Sequence, residues 1–446
     1  PRRAAGSAPA AHGDLTARAA ACTARGAVHA AAAPLPTAAS PRRLHALNRT
    51  PFRTEVTFVD PKPALPLLFT PMTIRSVTLP NRIVVPPMAT YSAKDGIASE
   101  FHLVHYGKFA LGGAGTVFVE ATGVLREGRI TNGCLGLWSD EHARAMKPIA
   151  RMLKQQGSVP AIQIGHGGRK SSMQRPWFGN GPLNDADLAR GEERWQVFGA
   201  SPIPLAEGWL VPKEMDAHDL QRTKQAFVDA ALRALEVGFE MVELHMAHGY
   251  LLQSFLSPLS NFRKDGYGTT LEGRMRYPLE VVEAVRAALP KETPLWVRIS
   301  SEDGIDGGWT MDDSVVFARE LGQRGVDVVD CSSGGNTPKG ATNSNLQRAP
   351  GYQVGYATRV RKEAKVMSEG VGLIRDPHHA EQLLQEGAAD LIGIGRQYLY
   401  DPFWGLHASQ AFGIDPNFTR WPHQYAWWLE KWDKGIKARE ASERKG

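Results

Sequence analysis

The sequence predicts an α/β protein: a (β/α)₈ barrel in one domain, with a long insert after its third strand. Three observations carry that reading. Eight short apolar runs, most bounded by Gly or Pro, lack strict alternation, as strands buried on both faces do. Amphipathic stretches of helical length separate them, and several stop at glycine, at Gly157, Gly238, Gly325 and Gly387. No Gly-x-Gly-x-x-Gly follows any strand, so a doubly wound dinucleotide-binding sheet fits less well than a barrel.

In chain order the predicted strands are 83–85, 116–119, 159–164, 239–244, 295–299, 326–330, 365–367 and 390–394. The predicted helices are 101–111, 141–156, 220–237, 275–289, 312–324, 352–363 and 377–385, with an apolar segment at 403–412 after the last strand. Asp312 and Asp376 are placed to cap the helices that follow them. The stretch 167–217 is too long for a simple connection and holds Trp177, Gly179, Asn180, Gly181 and Trp195, which points to a lid or substrate-shaping insert. The expected organisation is a disordered Ala/Arg-rich leader or extension at 1–60, a barrel at 65–415 and a C-terminal tail at 416–446.

Composition narrows the function. Residues 1–50 hold seven arginines and one acid, a net +6 that equals the charge of the whole chain, so residues 51–446 are neutral overall. Nucleic acid is therefore not an expected partner of the body of the protein. No apolar run approaches the roughly 18 residues that span a bilayer, so a soluble protein is expected. Cys22, Cys134 and Cys331 form no Cys-x-x-Cys pair, which argues against a disulfide framework, a structural zinc site or an iron–sulfur cluster. The expected location is cytoplasmic, or organellar if the acid-poor leader is a transit peptide.

In a barrel, chemistry is done at the carboxyl ends of the strands. Those ends carry Pro86, Pro87, Met88, Ala89 and Tyr91, then Glu120 and Ala121, then Gln163 and His166. They continue with His245, His248 and Tyr250, Arg298, Ser332–Gly335, Gly370–Gly372, and Gly393-Ile-Gly395-Arg396. The glycines that end the last two strands, with Arg396, suit an anion such as a phosphate. His245 and His248 have three readings: metal ligands, strand-end histidines satisfied by backbone, or paired N–H donors to a substrate oxygen that becomes negative. No Glu follows His245, so the His-Glu-x-x-His zinc pattern is missing and no metal is expected. Tyr250, with an ordinary pKa of about 10, holds a proton at neutral pH and can donate it. Arg298 is either a cation facing an aromatic cofactor or the partner of Glu120 or Asp330, and Gln163 can add a hydrogen bond to the same ring. The polar run Asn261–Gly268 reads as bracing for the His–Tyr loop.

The run from His245 to Arg276, Gln163-Ile-Gly-His-Gly-Gly-Arg-Lys170, Val119-Glu-Ala121 and Asp390-Leu-Ile-Gly-Ile-Gly-Arg396 together closely resemble the Old Yellow Enzyme family of flavin-dependent ene-reductases. The likeness is nearest the thermophilic-like branch and covers about residues 68–425. It implies a barrel with one non-covalent FMN, reduced by NADPH or NADH, that passes hydride to an α,β-unsaturated carbonyl compound in a ping-pong cycle. It implies flavin contacts at Pro86, Pro87, Met88, Ala89, Ala121, Gln163, Arg298, Gly372, Gly395 and Arg396. His245 and His248 match the substrate-oxygen donors, Tyr250 the proton donor and Tyr91 a second tyrosine over the flavin. A catalytically altered flavin-binding barrel, or a specialised biosynthetic oxidoreductase of the same family, is the alternative.

Two departures stand out. Where near relatives carry a flavin-tuning cysteine, this chain has Ala89, so Ala89→Cys is expected to shift the flavin potential; an unchanged potential refutes that role. The segment from Arg420 to Tyr425 resembles one that delivers an arginine into a neighbouring subunit, but the matching position holds Trp427. A shared active site is therefore not implied, and monomer and homodimer both stay open.

Overall fold

The eight apolar runs become β1 (Ile83–Val85), β2 (Thr116–Gly123), β3 (Val159–Gly165), β4 (Met241–Met246), β5 (Leu295–Ser300), β6 (Val328–Ser332), β7 (Met367–Gly370) and β8 (Leu391–Gly393). The computed structural model describes residues 65–337 and 348–444, and the expected leader at 1–60 lies outside them. The strands pair in parallel in sequence order, and β8 closes on β1 through Ile392↔Ile83 and Gly393↔Val84.

Alternation explains the interior. Successive side chains on a strand face opposite ways. Val84, Phe118, Ala161, Met241, Trp296, Val328 and Leu391 form an apolar layer inside the barrel, closed below by Ile74 and Leu79 of the hairpin Met72–Ile74/Val77–Leu79. The residues between them, such as Val85, Val117, Val119, Ile162, Leu244 and Ile299, pack outward against the helices. Two positions beyond the apolar layer the same face of the strands reads Glu120, Gln163, Glu243, Arg298, Asp330, Glu369 and Gly393, which begins a polar mouth.

The main helices around the barrel are α1 (Glu100–Leu111), α2 (Asp140–Gln155), α3 (Ala217–Glu236), α4 (Leu271–Ala288), α5 (Met311–Gln323), α6 (Val354–Arg359), α7 (Pro377–Gln385) and α8 (Trp404–Ala411). Several elements depart from expectation. Asp312 does not cap α5: the Thr310 side chain does, accepting from Asp313 N, which leaves Asp312 in the first turn where it favours the helix dipole. Asp376 does cap α7, accepting from His378 N. Helix α4 begins at Leu271 rather than Met275, because Thr270 accepts from Gly273 N. β7 starts at Met367; Lys365 precedes it with a left-handed φ of 62°, after a π-helical turn at Val360–Ala364 that follows α6. β4 and β6 each run two residues further than expected, so His245 and Ser332 are strand residues.

The insert has its own small structure, a helix at Asp185–Ala189 capped by Asn184 and a parallel strand pair Phe198–Gly199/Lys213–Glu214. The tail at 416–446 holds a helix, His423–Glu443, with no buried residue. No helix among the described residues is long and apolar enough to cross a membrane.

Candidate active site

The His–Tyr element sits where β4 meets a tight turn. Burial of β4 on both faces brings His245 to the mouth, and His248 takes a left-handed φ of 61° as the chain reverses. Such a conformation costs about 1–3 kcal/mol and clusters at functional sites. Tyr91 has the same feature, at φ 51°. The turn is pinned from three sides. Ser300 Oγ accepts from His248 N at 2.9 Å, and Lys170 Nζ donates to both His248 O and Gly335 O at 2.7 Å. The β6 loop closes the third side, where a side chain at Gly335 would collide with the His248 backbone.

Hydrogen-bond partners assign the tautomers. Ala247 N donates to His245 Nδ1 at 3.2 Å, so the proton of that ring is on Nε2. That N–H donates to His248 Nδ1 at 3.3 Å, which puts the His248 proton on Nε2, where it donates to Ser332 Oγ at 2.8 Å; Ser332 Oγ also accepts from Gln353 Nε2 at 3.3 Å. His245 Nε2 and His248 Nδ1 lie 3.3 Å apart. The two ring nitrogens thus meet at the mouth of the barrel, one donating to the other. Both rings are held neutral, far below the usual histidine range: burial acts first on each, and the Arg298 and Lys170 cations reinforce it.

Tyr250 stands over this pair, its ring 4.9 Å from that of His245 and nearly perpendicular to it. Burial, and then Cys134, push its phenol well above the usual tyrosine range, so the hydroxyl keeps its proton. Lys170 Nζ is 5.0 Å from the Tyr250 ring centroid; burial, then Arg169, bring that amine down to about 7. The Cys134 thiol is pushed up by burial and stays protonated. Tyr91 packs edge-on to the exposed Trp177, at 6.2 Å, so the insert overhangs this side of the mouth.

Most of the other expected residues line a cavity of about 270 Å³ across the mouth: Pro86, Pro87, Met88, Arg298, Gly372, Gly395 and Arg396, with Gln353 and Gly393. Ala121 lines a narrow cleft with His245 and Tyr250 instead, and Ala89, Gln163, His248 and Tyr91 line neither. Gln163 donates to Glu243 Oε2 at 2.7 Å. Arg298 pairs with Asp330 at 2.7 Å, as one of its two readings had it, and still reaches the cavity wall. Glu120 is not its partner: that carboxylate accepts from Thr90 and from the Tyr106 hydroxyl. The helix after Gly395 is short, Arg396–Tyr400, so an anion there would meet backbone N–H groups and Arg396 more than a helix dipole.

The cavity suits a flat ring with an anionic tail. Its wall offers a buried cation, and Arg298 Nε has no hydrogen-bond partner among the described residues. Gly372 keeps one wall open: its φ is 120°, and an added methyl would lie 3.1 Å from the Tyr352 ring. Gly372→Ala is therefore expected to lower FMN retention and to destabilise the fold by about 1–3 kcal/mol. Flavin absorbance per protein and Tm check both.

The expected bracing run is tied down by Asn261, which donates to Phe255 O and Tyr267 O at 2.7 Å, and by Arg263, which donates to Met215 O at 2.8 Å. Sequence reading missed Lys170, Glu243, Gln353 and Glu369. Alternation along β4 and β7 was the available signal for the two acids; Lys170 and Gln353 are brought in by loops.

Residues 67–412 match the NADH:flavin oxidoreductase / NADH oxidase family. The chain belongs to that family. It is 41% identical over 361 residues to the NADPH dehydrogenase of Bacillus cytotoxicus, covering 80% of this chain and 96% of that one. It is also 41% identical to the NADPH dehydrogenase of Bacillus subtilis, covering 78% and 96%. Among solved structures, morphinone reductase superposes with a TM-score of 0.64 at 25% identity, covering 78% of this chain and 90% of its own. The Old Yellow Enzyme homologue from Zymomonas mobilis shares the fold, with a TM-score of 0.63 at 24% identity and coverage of 78% and 93%. As a member of this family the protein is an FMN-dependent NAD(P)H oxidoreductase of the Old Yellow Enzyme type.

Proposed function

We propose that the protein reduces the activated C=C bond of α,β-unsaturated carbonyl compounds in a ping-pong cycle with NAD(P)H. The observation that carries this reading is the pair of neutral imidazoles whose facing nitrogens, His245 Nε2 and His248 Nδ1, lie 3.3 Å apart beneath a protonated tyrosine. A carbonyl oxygen entering here would accept from His245 Nε2 and, with the His248 proton on Nδ1, from both rings; donors positioned in this way are worth several kcal/mol where negative charge develops. Bound FMN supplies the hydride chemistry. Arg298, Gly372, Gly395 and Arg396 would hold it, with Pro86, Pro87 and Met88 against its ring and Gln163, Ala89 and Ala121 nearby.

The chain's own residues then have distinct tasks. His245 and His248 bind and orient the carbonyl oxygen. Tyr250 holds the proton that the substrate α-carbon receives. Tyr91 and Trp177 shut water out from the insert side. Lys170 keeps the His248 carbonyl and the β6 loop together, which sets the geometry of the donor pair.

The test is the visible spectrum of the purified protein under anaerobic NADPH, followed by 2-cyclohexenone. A flavin band that bleaches and then returns with the enone supports the reading. A band that only oxygen restores refutes the substrate class.

A further inference from the structure

Above the apolar layer, among the described residues, three acids and one arginine share the barrel interior. Arg298, Asp330 and Glu369 are register partners on the neighbouring strands β5, β6 and β7. Glu243 lies on β4, two residues before His245, the register partner of Arg298. Arg298 Nη1 is 2.7 Å from Asp330 Oδ2, although the angle does not make a hydrogen bond. Glu243 accepts from Gln163 with one oxygen. Its other oxygen, and both oxygens of Glu369, have no hydrogen-bond partner among the described residues. All three carboxyl groups are completely buried.

An unpaired charge buried this way costs several kcal/mol, so one arginine supports one carboxylate. Asp330, in direct contact with Arg298, is that carboxylate. Glu243 and Glu369 then carry protons: burial first, and neighbouring carboxylates second, push both far above the usual carboxylate range. Burial alone would weaken the Arg298 cation, and the adjacent acids, Asp330 first among them, keep it charged. The other titratable groups facing the cluster do not compensate charge. His245 is neutral, the buried Cys331 thiol is pushed far up, and Lys170 is engaged by the His248 and Gly335 carbonyls.

The cluster touches the cavity that would hold the flavin. Arg298 and Gly393 line that cavity, and a side chain at Gly393 would collide with Glu369 Oε1. NAD(P)H delivers two electrons and one proton, so reduction leaves one additional negative charge in the cavity beside Arg298. We propose that Arg298 then changes counter-ion, and that Asp330, released from its pair, takes up one proton from solvent. One carboxyl O–H bond forms on reduction and breaks on reoxidation, so the buried charge stays constant through the cycle while Glu243 and Glu369 stay protonated.

The inference rests on FMN occupying this cavity. The test is the midpoint potential of the FMN-loaded enzyme from pH 7 to 9, with the charge state of the reduced flavin read from its absorbance spectrum. Wild type is expected to take up two protons per two electrons, Asp330→Asn one, and Glu369→Gln two. One proton in wild type, or two in Asp330→Asn, overturns the proposal. If Asp330→Asn retains no FMN, the reduced-minus-oxidised infrared difference spectrum of wild type decides. A new carboxylic C=O band that survives in Glu369→Gln supports the counter-ion change, and its absence overturns it. Wild-type protein that binds no FMN would refute the cofactor site instead, a separate outcome.

Discussion

Replacing Tyr250 by Phe is expected to slow enone-driven reoxidation of the reduced enzyme by about 10²- to 10⁴-fold, the usual contribution of a positioned proton donor. Reduction by NADPH needs no such proton and is expected to change little. The variant keeps the ring that packs against His245 at 4.9 Å and faces Lys170 at 5.0 Å, so only the hydroxyl is removed. Anaerobic stopped-flow measurement of the two half-reactions separates them. An unchanged reoxidation rate would mean that the α-carbon takes its proton from elsewhere.

The second large effect belongs to the donor pair. His245→Ala or His248→Ala is expected to lower the efficiency of enone reduction by about 10²- to 10³-fold, the loss typical of one preorganised oxyanion donor. Asparagine at position 248 keeps an N–H donor and is expected to recover part of the loss, which a merely structural role for the imidazole would not explain. The pH dependence follows from the direction of the shifts. Burial and the nearby cations hold both histidine pKa values below the ordinary 6.5, so both rings stay neutral from pH 6.5 upward. Tyr250, shifted upward, stays protonated over the same range. Neither group is lost between pH 6.5 and 8, so an inflection there is expected only from Lys170, whose amine is brought down to about 7 and which holds the His248 turn. A drop in that window that persists in Lys170→Met would show that a histidine or Tyr250 titrates after all.

Legibility differed by element. Strands buried on both faces announce themselves as continuous apolar runs, which is why all eight were readable. Their ends were not, because backbone pairing with a neighbour carries β4 and β6 two residues past their apolar runs. The start of α5 was misread because capping depends on which side chain reaches a free N–H, and Thr310 does so ahead of Asp312. In the candidate site, His245, His248 and Tyr250 lie within six consecutive residues and were visible together. Lys170 and Gln353 were not, because each reaches the site from a distant loop and packing alone brings it there.

The sequence by itself determined the barrel, its order of strands and the residues at its mouth, because apolar period and chain order are local properties that hydrophobic burial acts on directly. Tertiary structure decided the charge arrangement. Whether Arg298 served a cofactor or an acid could not be settled from one strand. It depends on Asp330 and Glu369 occupying the same register on the two next strands, and on burial that leaves one cation among three acids. Tautomers, protonation and counter-ions are set by groups within a few ångströms in space, and distance along the chain carries no record of them.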